Sequence, residues 1–417
     1  MRPNTDKATH LFTLDNGLRV VIRQDPGIPM VCASLFHKVG TRHERPDQQG
    51  LAYLTGGAAF KNKALINEIG AIANGWLDYD VSTYSLEAPR AALSSVLQML
   101  ASRMEEPILS QERLNAGIKR TKELERADPY FTSDFWITSQ FEQLIFPAAG
   151  KAHTFGDIAD LDHITVEDVL HWHKENYAPN NTILVIAGDT TLEHTQPVVQ
   201  RLFGGFARGT PYKRQEQPVG EPHTAERRLT QYLDTELPRL QMAFNTPSVS
   251  TTENIQDIRA LQVISALLTS GPDAWLPGKL SEGKKTLTSA ITRLPGYRLN
   301  DDLFLIAATL GAHTSASLPQ VELEIKQLLE GLKLHALDPD TLRYGQAQAL
   351  KKLDELNSLE VQVSVIGNLE AIGQSWTLID SEPAQLQRIT ADDIQRVANQ
   401  YFCPERLSVT HIFAREA

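Results

Sequence analysis

One stretch of the chain reads almost the same twice. Ile164-Thr165-Val166-Glu167-Asp168-Val169 is echoed by Ile389-Thr390-Ala391-Asp392-Asp393-Ile394. Each copy runs on to a tyrosine (Tyr177, Tyr401) and then a proline (Pro179, Pro404), fifteen residues after its isoleucine in both cases. After each proline comes an alternating apolar segment, Thr182-Ile183-Leu184-Val185-Ile186-Ala187 in one copy and Leu407-Ser408-Val409-Thr410-His411-Ile412 in the other. The physics of the unit is legible. Thr165 and Thr390 are good helix N-caps, and a carboxylate two residues on complements the helix dipole. The proline cannot continue the helix, and the β-rich run beyond it reads as a strand. Chance can produce one such unit. Two with matched spacing predict a chain built from duplicated halves.

The earlier parts of the halves correspond as well. Leu18-Arg19-Val20-Val21-Ile22 and Val31-Cys32-Ala33-Ser34-Leu35-Phe36 read as strands near the start, and Leu237 to Phe244 opens the second half in similar style. Helical patterns follow in each half, over Ala91 to Met104 and Ile255 to Leu268. With 417 residues the chain is long enough for two or more domains. The polar, Gly- and Pro-rich stretch from Ala207 to Pro222 marks the boundary, giving domains over 1–210 and 211–417. Strands and helices mix without strict βαβ alternation. The expected fold is therefore α+β, two similar domains, each a largely antiparallel sheet covered by helices.

Composition narrows the function classes. Apolar residues make up 41%, enough to build cores without disulfide or metal staples. A formal net charge of −11 with no Lys/Arg block argues against nucleic acid as a partner. The two cysteines, Cys32 and Cys403, form no Cys-x-x-Cys pair, and Cys32 sits in an apolar run as a small buried hydrophobe would. No apolar run approaches the roughly 20 residues needed to span a bilayer. The first seven residues have no apolar core, so the chain as written shows no signal peptide, which leaves the compartment open. His171 and His173 are two apart on a predicted helix and diverge; His37 and His43 have no acidic partner at ligand spacing. Gly204-Gly205 and Gly271 mark turns, since no Gly-x-x-x-x-Gly-Lys surrounds them, and no Gly-x-Ser-x-Gly elbow occurs.

Several segments, taken in order, resemble the insulinase-like (pitrilysin) zinc peptidases. Thr13 to Val21 looks like the first strand of that family, and Phe36 to Glu44 like the next strand and its turn. Then comes Gly50-Leu51-Ala52-Tyr53-Leu54-Thr55-Gly56-Gly57-Ala58-Ala59-Phe60, where family members read Gly-Leu-Ala-His-x-x-Glu-His-Met-x-Phe. Asn74-Gly75-Trp76 with Asp80, Tyr84 and Pro89 resembles the family's Asn-Ala-Phe/Tyr strand. Tyr177 to Asn181, Gly188-Asp189 and, later, Ile366 to Glu370 with Gly373 complete the likeness. Each piece alone is weak; in this order they span nearly the whole chain.

The resemblance also locates a loss. In the family two histidines on one helical face bind Zn²⁺, and the glutamate before the second is general base to the metal-bound water. The three positions here are Tyr53, Gly56 and Gly57. A phenol with a pKa of about 10 is a poor zinc ligand at neutral pH, and glycine has no side chain. The family's third ligand, a later glutamate, has only Glu123 and Glu125 in its neighbourhood, both expected on an ordinary solvated face. The Arg and Tyr that the family's second domain offers to substrate correspond to Ser281 and Thr288. The segment after Phe60 also looks shortened.

The resemblance therefore implies a non-catalytic chain with no cofactor of its own. The partner would be a catalytic subunit of the same family that keeps the zinc motif, and the two together would enclose a chamber for peptide substrate. Asn74, Gly75 and Trp76 are the candidate substrate-binding residues, on a strand able to pair with an extended peptide. A structural core-type subunit of a larger complex, or a stand-alone peptide-binding protein, is the alternative.

Overall fold

The computed structural model describes residues 7–58, 63–127, 156, 158–210, 225–233, 235–281, 286–294, 296–355 and 358–414. The strands are β1 (Thr9–Thr13), β2 (Arg19–Gln24), β3 (Met30–His37), β4 (Ile72–Leu77), β5 (Ser82–Pro89), β6 (Thr182–Gly188), β7 (Arg227–Leu233), β8 (Arg239–Thr246), β9 (Leu287–Arg293), β10 (Asp302–Leu310) and β11 (Leu407–Ala414). The helices used below are α1 (Leu51–Ala58), α2 (Leu93–Ser102), α3 (Gln111–Ala127), α4 (Val166–Asn176), α5 (Ile255–Thr269), α6 (Leu318–Leu334), α7 (Leu359–Ala371) and α8 (Ala391–Tyr401). The chain divides into two compact units, one around each sheet.

The first sheet has the order β1-β2-β6-β3-β5-β4 and the second β7-β11-β8-β10-β9. Leaving out β1, the two orders match strand for strand. So do the directions: β2 runs parallel to β6 and β7 to β11, and the remaining neighbours in each sheet are antiparallel. A parallel pair requires a crossover. In each sheet the repeated unit closes that crossover, because β6 and β11 are the strands that follow the repeated helices α4 and α8. The fold is α+β with duplicated, largely antiparallel sheets covered by helices.

The duplication extends to atomic detail at the caps. Thr165 and Thr390 both adopt φ −103° and ψ 165°. Asp168 N donates to Thr165 Oγ1 at 3.2 Å and Asp393 N to Thr390 Oγ1 at 3.2 Å. In return the Asp168 carboxylate accepts from the Thr165 amide at 2.9 Å, and that of Asp393 from the Thr390 amide at 3.0 Å. The carboxylate that closes each capping box lies three residues beyond the threonine, one further than the dipole partner noted in the sequence.

Each unit has its own core. Val20, Ile22, Leu35, Leu97 and Phe203 are among the side chains packed in the first, and Phe244, Ile264, Phe304 and Ile325 in the second. One element departs from the division at 210/211. Helix α7 belongs to the first unit, although its sequence lies in the second half. It packs on the first sheet, where Gly367 sits so close to Phe36 that a Cβ would be 2.1 Å from the ring. Polar contacts fix it there: Arg23 Nε donates to Gln362 Oε1 at 3.0 Å, and Arg19 pairs with the buried Glu370 at 2.5 Å. The boundary stretch 211–224 lies outside the described residues. Among the described residues no helix is long and apolar enough to cross a membrane.

Candidate functional site

Helix α1 carries the three positions of interest. Its start is held by Glu44, whose carboxylate accepts from Gly50 N at 3.1 Å and Ala52 N at 2.7 Å. Negative charge at a helix N-terminus is favourable. Burial nevertheless dominates and pushes the Glu44 carboxyl up to about 8, with the two amides pulling the other way. Gly50 enters the helix at φ +97°, a left-handed backbone that glycine adopts without strain.

Tyr53 is half-buried on α1. Burial raises its hydroxyl pKa above the usual value, while the nearby charge of Arg120 on α3 draws it down. The neighbouring charge is thus a cation, the opposite of what a metal ligand set supplies. Gly56 is enclosed. A Cβ there would lie 2.4 Å from the Tyr84 hydroxyl of β5. Arg103, just beyond α2, donates from Nη2 to Gly56 O at 2.9 Å and lays its guanidinium 3.2 Å over the Tyr84 ring. Gly57 is exposed, with nothing described within 4 Å of where its Cβ would be.

Beneath this contact lies a buried aromatic layer. The His37 ring stacks on Tyr177 at 4.2 Å and meets Tyr84 edge-on at 5.9 Å, while His173 stacks on the same Tyr177 at 4.8 Å. His37 Nδ1 is 2.8 Å from Thr182 Oγ1, and His173 Nε2 is 2.9 Å from Arg103 O. Burial, then the charges of His173 and Arg103, hold the His37 pKa well below its ordinary value. Burial, then Tyr84, lifts that of Tyr177 well above. The two histidines that could have suggested metal chemistry are therefore packing elements of this layer. His171 points to solvent and pairs with Glu175 at 3.2 Å, diverging from His173 as the helical spacing requires. His43 accepts from Gly40 N at 3.0 Å.

The remaining motif positions fall on other elements. Glu123 is 62% exposed on α3 and 3.8 Å from Lys119; the Glu125 side chain lies outside the described residues. Ser281 ends a short helix, Trp275–Ser281. Thr288 is on β9 and donates to Leu310 O at 3.2 Å. Of the segment after Phe60, expected to be shortened, residues 61 and 62 lie outside the described residues. Among the described residues no three His, Cys, Asp or Glu side chains gather to hold a metal ion. The residues at α1 do not fit zinc, since one position offers a phenol next to a cation and another has its side-chain space filled by Tyr84.

Asn74, Gly75 and Trp76 sit on β4, the edge strand of the first sheet. They pair with Ser85, Tyr84 and Thr83 of β5, and β4 has no strand on its other side among the described residues. All three are exposed, Trp76 at 56%. Gly75 opposite Tyr84 links the edge strand to the Gly56 contact across a single strand. Sequence reasoning missed Arg103 and the role of Tyr84. No local signal marks them, because they meet Gly56 only through the tertiary fold.

Comparison with known proteins gives a consistent picture. The family model "Insulinase (Peptidase family M16)" matches residues 19–134, and "Peptidase M16 inactive domain" matches residues 163–349. Zinc protease PqqE of Helicobacter pylori is 23% identical, with 94% of this chain and 89% of that protein covered. Mitochondrial-processing peptidase subunit alpha-2 of Dictyostelium discoideum is 24% identical, covering 93% of this chain and 88% of that one. Among solved structures, a protease from Helicobacter pylori superposes with a TM-score of 0.87 at 19% identity, over 97% of this chain and 99% of the other.

Proposed function

The chain belongs to the insulinase-like (M16) peptidase family, and we propose that within it this protein is a non-catalytic subunit that pairs with a zinc-bearing subunit of the same family and helps hold peptide substrate. One observation carries the reading. Where the family's helix presents two metal ligands and a general base, α1 presents Tyr53, Gly56 and Gly57, and the Tyr84 hydroxyl already occupies the space a side chain at 56 would need. Water activation needs a bound cation or a poised base, and neither is supplied by this helix. Zinc belongs, on this reading, to the partner.

The remaining surface suits binding. An edge strand offers unpaired backbone N–H and C=O groups, which an extended peptide satisfies by adding a strand. β4 is such an edge, with Asn74, Gly75 and Trp76 in solvent. This favours a peptide-holding role over a purely structural one. That a relative of similar length is named as a subunit of a processing peptidase supports pairing.

The test is co-purification from the native host followed by mass spectrometry, zinc analysis and peptidase assay. The lone chain is expected to retain no stoichiometric zinc and to hydrolyse no peptide, and the complex to retain zinc and to hydrolyse peptide. Chelator-sensitive proteolysis by the lone chain would sink the proposal.

A further inference from the structure

The edge strand β4 borders a regular grid of side chains. Ile72, Asn74 and Trp76 lie opposite Glu87, Ser85 and Thr83 of β5, which lie opposite Cys32, Ser34 and Phe36 of β3. Helix α7 covers the β3 side of this face through Gly367 and Phe36. Its first turn reaches the edge, where Asn74 Nδ2 donates to Glu360 Oε1 at 2.6 Å. Beyond that contact the covering stops, and Ile72 and Trp76 stand 64% and 56% exposed.

Two carboxylates accompany these apolar side chains. Glu87 is paired in register with Ile72, and Glu360 is bonded to Asn74. The Glu87 pKa is raised by burial first and by the charge of Glu360 second. Among the described residues neither is ion-paired with a lysine or arginine. The result is an acidic step on this edge beside an aliphatic and an aromatic side chain.

A strand added to β4 would place every second side chain on this face, about 7 Å apart. Its central residue would lie beside Asn74 and the Glu360 carboxylate bonded to it, with Glu87 one strand further in at the level of Ile72, and the residues two before and two after would lie against Ile72 and Trp76. We propose that this edge selects an extended segment of the pattern apolar–x–basic–x–apolar, with Glu87 and Glu360 reading the Lys or Arg and Ile72 and Trp76 the flanking apolar side chains. This rests on the reading of β4 as a peptide-holding edge and specifies what that edge accepts. Charge complementarity decides the central position, because a cation there relieves the repulsion between the carboxylates, whereas an anion adds to it.

The experiment uses the full chain and fluorescein-labelled ten-residue peptides that differ only at one central position: lysine, norleucine or glutamate. Leucine stands two residues to either side, and threonine and serine fill the rest. Binding is followed by fluorescence anisotropy. The lysine peptide is expected to bind about fivefold tighter than the norleucine peptide, with the glutamate peptide weakest. The lysine advantage should shrink with added salt and fall below about twofold in the double variant Glu87→Gln/Glu360→Gln. Either single substitution should give an intermediate ratio.

Two further peptides, N-methylated at alternate residues in the two possible phases, test strand addition independently of charge. One phase blocks the bonds to β4 and should abolish binding, while the other should not. If lysine and norleucine bind alike, or the lysine advantage survives the double substitution, the selection proposed here is wrong although the edge still binds peptide. If no peptide binds, or both N-methylated phases bind as the parent does, the peptide-holding reading falls and takes the selection with it.

Discussion

Replacing Gly56 by alanine separates the two explanations for a glycine in this helix. If the pair Gly56-Gly57 is merely a degenerate remnant, either glycine replaced by alanine should strengthen α1 by up to about 1 kcal/mol, the intrinsic difference in helix propensity. The geometry predicts opposite signs. The Cβ at 57 meets nothing described within 4 Å, whereas the Cβ at 56 would lie 2.4 Å from the Tyr84 hydroxyl. Relief requires that hydroxyl to retreat by about 1 Å, and overpacking of this kind costs roughly 1–3 kcal/mol. Tyr84 is not free to swing, since Arg103 lies 3.2 Å over its ring and donates to Gly56 O at 2.9 Å. The balance for Gly56→Ala is a net loss of up to about 2 kcal/mol, against a gain of up to about 1 kcal/mol for Gly57→Ala.

Tyr84→Phe removes the offending atom and leaves the ring carbon Cζ at 3.6 Å, an ordinary contact. In that background Gly56→Ala should become neutral or stabilising, giving a coupling energy of about 2 kcal/mol in a double-mutant cycle. Urea unfolding followed by circular dichroism measures all four variants. Equal shifts for Gly56→Ala and Gly57→Ala, or no coupling to Tyr84→Phe, would refute the claim that the space at residue 56 has been taken over.

Two more predictions concern stability. Thr165→Ala and Thr390→Ala should each cost about 1 kcal/mol by removing a cap of the same geometry, and the double variant should show the sum because the two caps lie in different units. For pH, His37 and Glu44 act with opposite signs. His37 has a folded pKa well below its unfolded value near 6.5; the unfolded state binds the extra proton, so its contribution is complete above about pH 6.5 and declines as pH falls below. Glu44 has a folded pKa of about 8, above its unfolded value near 4.3. Its contribution is therefore complete below about pH 4 and is lost as pH rises toward 8. Between pH 6.5 and 8 only the Glu44 slope remains of the two, and Glu44→Gln should flatten the stability curve there; an unchanged slope in that variant would contradict the assignment.

Binary pattern, capping and turn chemistry are local, and the parts of this protein that depend on them were legible in the sequence. The repeated Thr caps, the prolines that stop the helices and the alternating runs beyond them set out α4–β6 and α8–β11 near their observed bounds, because each step depends on neighbours a few residues away. The absence of ligand-bearing residues at 53, 56 and 57 was likewise a matter of residue identity alone.

What the sequence left open are events between distant residues. The placement of α7 on the first sheet depends on Gly367 meeting Phe36 and Glu370 meeting Arg19, pairs more than 300 positions apart. The closing of the space at Gly56 depends on Tyr84 and Arg103, and the acidic step beside β4 on Glu360 reaching Asn74 across 286 positions. No periodicity or propensity encodes such meetings. They are fixed only when the hydrophobic faces of sheet and helices are buried together, and that collective packing decided what fills the space beside Gly56.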